Sequence, residues 1–213
     1  MRLLNTPAAR ILGSVVSWLL FSLCFTLLFE SGRMLMGLGG SCASGGPYVI
    51  ETPCPDAVAI FTPLSILGGL AAAAIGLIFA RGFGTPVVLW AWPVLFVGLG
   101  IDFLLASFQP GGAANLVVAI VFLVMGLVPL GFVWRVGVRR LFVGTTDARD
   151  RSFMDERGPV RIFSFGAAPP DDSRRVTAGD WALALGICLP CVALGVWLGL
   201  ILFGVAAAEP VPR

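Results

Sequence analysis

The sequence predicts an all-α fold: a polytopic bundle of five transmembrane helices, N-terminus inside and C-terminus outside. Three observations predict it. Of the 213 residues, 58% are hydrophobic and 12% charged, and the mean hydropathy is +0.96; a soluble domain carries roughly 25% charged residues. Five stretches supply the ~20 apolar residues that cross about 30 Å of hydrocarbon. The arginines are distributed so unevenly between the connections that one orientation is strongly favoured. A lone segment in lipid must satisfy its own backbone hydrogen bonds, so each stretch is expected to be a helix.

The first span is Ile11–Phe29. Its apolar run is longer than the about 7–15 residues of a signal-peptide core, and no small-residue cleavage site directly follows. It is therefore expected to stay as a helix. "LGGSC" before Cys42 lies too far beyond that run to act as a lipid-attachment box. The second span is Val58–Ala80, the third Pro86–Ser107, the fourth Ala114–Trp134 and the fifth Trp181–Ala206. "RGFGT" and "FQPGGA" are short connections that make spans two to four antiparallel neighbours. Pro63, Pro93, Pro129 and Pro190 lie inside spans and are expected to kink them. No internal repeat is visible, and an odd number of spans does not match a simple duplicated transporter.

With the N-terminus inside, Arg2, Arg10, Arg81 and the nine arginines from Arg135 to Arg175 face inward, and only Arg33 and Arg213 face outward. The opposite orientation would translocate twelve arginines. Trp90, Trp92, Trp134 and Trp181 then fall at inner helix ends, where amphipathic rings settle. The chain divides into a four-span bundle over 1–134 with an outer loop at 30–57, a cytoplasmic mixed-charge segment over 135–180, and the fifth helix with an outer tail over 181–213. In the inner segment, Arg135, Arg139 and Arg140 abut the membrane and are expected to meet anionic headgroups. "VRIFSF" (160–165) alternates like a strand, and Thr177 with Asp180 offers a capping box before the fifth span.

Five cysteines raise the question of chemistry. Cys42 and Cys54 close a Gly- and Pro-rich outer loop in a compartment that permits disulfides, and a staple is expected there. Cys188 and Cys191 form a C-x-x-C pair inside the fifth span. A loop pair plus a membrane pair is similar to the vitamin K epoxide reductase family of quinone-linked oxidoreductases in cysteine count. However, Cys191 lies roughly 20 Å below the outer surface, so the two pairs are mismatched in depth. Cys24 reads as packing.

Asp102 is the one clearly intramembrane acid, with Arg33 and Asn115 as candidate partners. Glu30 and Arg33 stand one helical turn apart. Gly68, Ala72, Gly76 and Ala80 recur every four residues, as do Cys191, Gly195 and Gly199; such stripes allow close helix approach, either inside the bundle or toward another subunit. The chain has no histidine, which removes the commonest general base and metal ligand. No catalytic set, cofactor or metal is expected, and a net charge of +2 is too small to indicate nucleic acid.

"SCASGGPYVIETPCP" resembles small actinobacterial membrane proteins with an outer loop of the form Cys…Gly-Gly-Pro-Tyr-Val…Cys-Pro. Here the matching residues are Cys42, Gly45, Gly46, Pro47, Tyr48, Val49, Cys54 and Pro55. The resemblance implies a bacterial plasma membrane and this topology, and no activity. The expected partners are the lipid bilayer and either a membrane protein or a second copy of the chain. The expected role is that of an accessory or assembly subunit. The alternatives are a thiol-disulfide oxidoreductase and a small transporter or channel using Asp102.

Overall fold

Pro7 opens the first helix, where its fixed φ suits the first turn and its missing N–H costs nothing. The computed structural model describes residues 7–38, 42, 53–78, 87–109, 112–136, 142 and 178–208. These hold five helices: α1 (Pro7–Gly37), α2 (Asp56–Ile78), α3 (Val87–Ser107), α4 (Ala113–Val136) and α5 (Ala178–Ala208). All five are long and apolar enough to cross a membrane, with spans of 19 to 28 residues, or about 29 to 42 Å of helix. Among the described residues there is no β-strand.

The boundaries follow the expected spans with one correction. The outer loop was expected to begin at Glu30, but α1 continues to Gly37. Glu30 and Arg33 bond across one turn, which offsets part of the cost of carrying two charges on the helix. The helix ends where Leu38 N–H meets the carbonyls of Met34 and Leu35. Pro55 sets the start of α2: its carbonyl takes the N–H groups of Val58 and Ala59. Asp56 places a negative charge in the first turn of α2, against the helix dipole. Pro63, Pro93, Pro129 and Pro190 all lie inside helices that run on past them. The strand-like segment 160–165, Thr177 and the whole "GGPYVIET" stretch lie outside the described residues.

The side-chain contacts give the direction of each helix. Cys24 meets Gly68 while Ser17 meets Ala72, so α1 and α2 are antiparallel. Phe29 meets Gly98 and Arg33 meets Asp102, so α1 and α3 run parallel and in step. Leu123 meets Gly100 and Met125 meets Trp92, making α3 and α4 antiparallel. Gly195 meets Ser22 and Gly199 meets Thr26, making α5 parallel to α1. The helices thus alternate in direction, as five successive crossings of one membrane require. One end of the bundle gathers the C-termini of α1, α3 and α5 with the Cys42–Cys54 disulfide; we term it the disulfide face. The other end carries Trp90, Trp92 and Trp181; we term it the tryptophan face.

The core sits around α1. Half of its spanning window is buried, against 11% for α4. Helix α1 packs on α2, α5 and α3, whereas among the described elements α4 packs on α3 alone. An aromatic ladder, Trp18–Phe21–Phe25–Phe29, climbs α1 with ring centroids 4.4 to 6.1 Å apart. Its lower rings meet Ala72, Val87 and Cys188. Toward the disulfide face, Leu27 packs with Ala57 and Phe203.

Candidate functional site

The register between α1 and α3 builds the most polar place inside the bundle. At one level the ring of Phe29 occupies the space that a side chain on residue 98 would need, and Gly98 provides it. One turn further toward the disulfide face, Gly32 and Arg33 come opposite Asp102. A Cβ on Gly32 would lie 3.6 Å from Asp102 Oδ2, so the carboxyl sits directly against the α1 backbone.

Arg33 joins two carboxyl groups. Its Nε donates to Asp102 Oδ1 at 2.8 Å, and its Nη1 donates to Glu30 Oε1 at 2.9 Å. The three side chains form a gradient of exposure. Arg33 is 48% exposed, Glu30 24% and Asp102 1%. Asp102 Oδ2 is buried and has no hydrogen-bond partner. Of the two candidate partners for Asp102, the structure brings Arg33 to it. Asn115 is half-buried in the first turn of α4, its backbone N–H bonded to Gly112 O, and makes no hydrogen bond to the carboxyl.

The cysteines separate into two sets. Cys42 and Cys54 form a disulfide with Cα atoms 4.9 Å apart, at the disulfide face. Cys24, Cys188 and Cys191 are free thiols. Ser22 Oγ donates to Cys191 O at 3.3 Å, which levels the C-x-x-C pair with Ser22. Ser22 stands fifteen residues before the end of α1 at Gly37, roughly 22 Å along the helix. The two pairs are therefore at different depths, as the spacing along the fifth span implies. Among the described residues no group of three or more His, Cys, Asp or Glu side chains comes together.

The small-residue stripes face inward. Gly68 packs on Cys24 and Leu20, and Ala72 and Gly76 are buried. A side chain at Gly195 would overlap Ser22 Oγ and lie 2.8 Å from Leu19 O, so only glycine lets α5 approach the α1 backbone. Gly199 plays the same part against Thr26. Ala80, Arg139 and Arg140 lie outside the described residues, as does the side chain of Arg135.

Several functional-looking contacts had no clear sequence signal. Ser17 Oγ donates to Ala72 O at 2.8 Å across the α1–α2 seam, and both residues are buried. Trp92 Nε1 donates to Met125 O at 3.0 Å across α3–α4. Phe142 lies between Trp90 and Trp181 in tilted ring contacts, with centroids 5.7 and 6.0 Å away. Serines spaced along an apolar span are a weak pointer to the first, because a buried hydroxyl needs an acceptor. A single phenylalanine in a polar segment gives no pointer to its partners.

Comparisons with known proteins add no relative: no family model, no curated protein and no solved structure matches this chain.

Proposed function

We propose that this chain is a non-enzymatic integral membrane protein serving as an accessory or assembly subunit of a larger complex in the bacterial plasma membrane. Its N-terminus and tryptophan face lie in the cytoplasm, and its disulfide face lies outside. The arginine distribution supports that orientation.

The placement of α4 carries the reading. The stripes of α2 and α5 are occupied inside the bundle, so they offer no seam to a partner. Among the described elements helix α4 packs on α3 alone, so its exposed Leu116, Val117, Ile120, Val121, Val124 and Val128 lie on the helix with a single neighbour. This side is the surface on which a second membrane helix seats without disturbing the α1-centred core. Extraction in mild detergent followed by native sizing and mass spectrometry tests it. A particle larger than one chain with a co-purifying membrane protein is expected; a strictly monomeric particle with none overturns the reading.

One observation favours a second reading, a small transporter or channel using Asp102. A buried carboxyl oxygen without a partner is unusual and marks functional sites inside membranes. Asp102→Asn then abolishes flux in liposomes, and unchanged flux ends it. The oxidoreductase reading has the depth mismatch of its two cysteine pairs against it.

A further inference from the structure

We propose that the Glu30–Arg33–Asp102 triad is a proton-binding site, with an exchangeable proton held on Asp102 Oδ2. The charges require a partner that no described residue supplies. Two carboxyl groups share one guanidinium, so the fully ionised triad carries one uncompensated negative charge. No other charged side chain among the described residues acts on it. The charged groups that act on Asp102 are Arg33 and Glu30 of α1, and Asp56 is exposed at the start of α2. Neither α3 nor the described side chains of α4 bring another charge.

The geometry says where the missing positive charge goes. Glu30 is partly exposed and keeps some solvation, whereas Asp102 has almost none. A buried charge is tolerated only when paired and hydrogen-bonded on its remaining atoms. Asp102 meets half of that demand: Oδ1 accepts from Arg33, and Oδ2 accepts from nothing. This asymmetry fits a carboxylic acid, with Oδ1 as the carbonyl that accepts and Oδ2 as the hydroxyl. Oδ2 also lies in van der Waals range of the place a Gly32 side chain would take. A proton needs no coordination shell at such a spot, and a metal cation does.

The exchange is a simple transfer. Asp102 carboxylate takes a proton from hydronium, leaving water, and the Oδ2–H bond breaks when the proton returns to water. Arg33 stays charged in both states and remains bonded to Glu30. Glu30 is a positioning residue: its charge draws on the guanidinium that would otherwise neutralise Asp102. The inference does not depend on whether the chain assembles with a partner or supports flux.

Infrared difference spectroscopy of the purified protein at neutral pH, with hydrogen–deuterium exchange, tests it. The parent is expected to show a protonated-carboxyl C=O band that shifts in deuterated water and is lost in Asp102→Asn. Glu30→Gln is expected to weaken the band, because Arg33 then neutralises Asp102 alone while the burial of Oδ2 is unchanged. A merely buried acid would keep its band undiminished in that variant, and that result overturns the role given to Glu30. Dicyclohexylcarbodiimide, which attacks protonated carboxyls in apolar surroundings, is expected to label Asp102 in the unmutated protein, read by peptide mass spectrometry. Absence of both the band and the adduct overturns the site. A band that disappears on adding sodium or potassium at constant pH overturns the proton in favour of a metal cation.

Discussion

Arg33 is the residue on which the polar end of the bundle depends, because it alone holds a surface acid and a buried one. Arg33→Ala takes the donor from Asp102 Oδ1 inside the bundle. The expected loss is about 1–3 kcal/mol of stability, measured by unfolding in mixed micelles. A smaller contribution comes from Ser17, whose hydroxyl bonds Ala72 O. Ser17→Ala is expected to cost about 0.5–1 kcal/mol in the same assay, since such bonds contribute modestly between membrane helices. The sequence displayed Asp102 as costly and Arg33 as one of two partners, because few charges lie near the spans. Arg33 won over Asn115 for a geometric reason that no residue type reveals: α1 and α3 run in step, so their turns face each other at 29/98 and 33/102.

At the scale of elements, the five helices were legible because each is a long, predominantly apolar run. The end of α1 was not. Glu30 and Arg33 resemble the start of a loop, yet as neighbours on one turn they bond each other and let the helix continue for two more turns. Helix pairing was also hidden, since every side of each helix is apolar and no face is marked for the core. Glycine spacing showed that seams exist but not which helix fills them. The structure gives that answer, and it can be checked by contrast. Gly195→Val forces its side chain into Ser22 and the α1 backbone and is expected to cost about 1–3 kcal/mol or more. Gly204→Ala, where an added Cβ meets nothing within 4 Å, is expected to leave stability unchanged.

For the whole molecule, alternating helix directions place the start of α1 and the end of α5 on opposite faces, with the disulfide at the face where α1 ends. The assignment of that face to the outside is tested by chemistry on one atom. Cys42→Ser frees the Cys54 thiol, and a membrane-impermeant maleimide added to intact cells is expected to label it. Labelling only after the membrane is opened reverses the orientation. Labelling of Cys54 in the unmutated oxidised protein would contradict the disulfide itself.

The aromatic clasp has a consequence for the polar segment that follows α4. Phe142 and Trp181 touch, so the chain between them departs and returns at almost the same point. The length of the connection between them is expected to matter little, because loop entropy grows only logarithmically with length. The packing of the described helices is then expected not to depend on the length of residues 146–174. Replacing them with a short Gly-Ser linker is expected to leave the five-helix bundle folded and the Trp90–Phe142–Trp181 fluorescence environment unaltered, whereas Phe142→Ala in the same shortened chain is expected to change it.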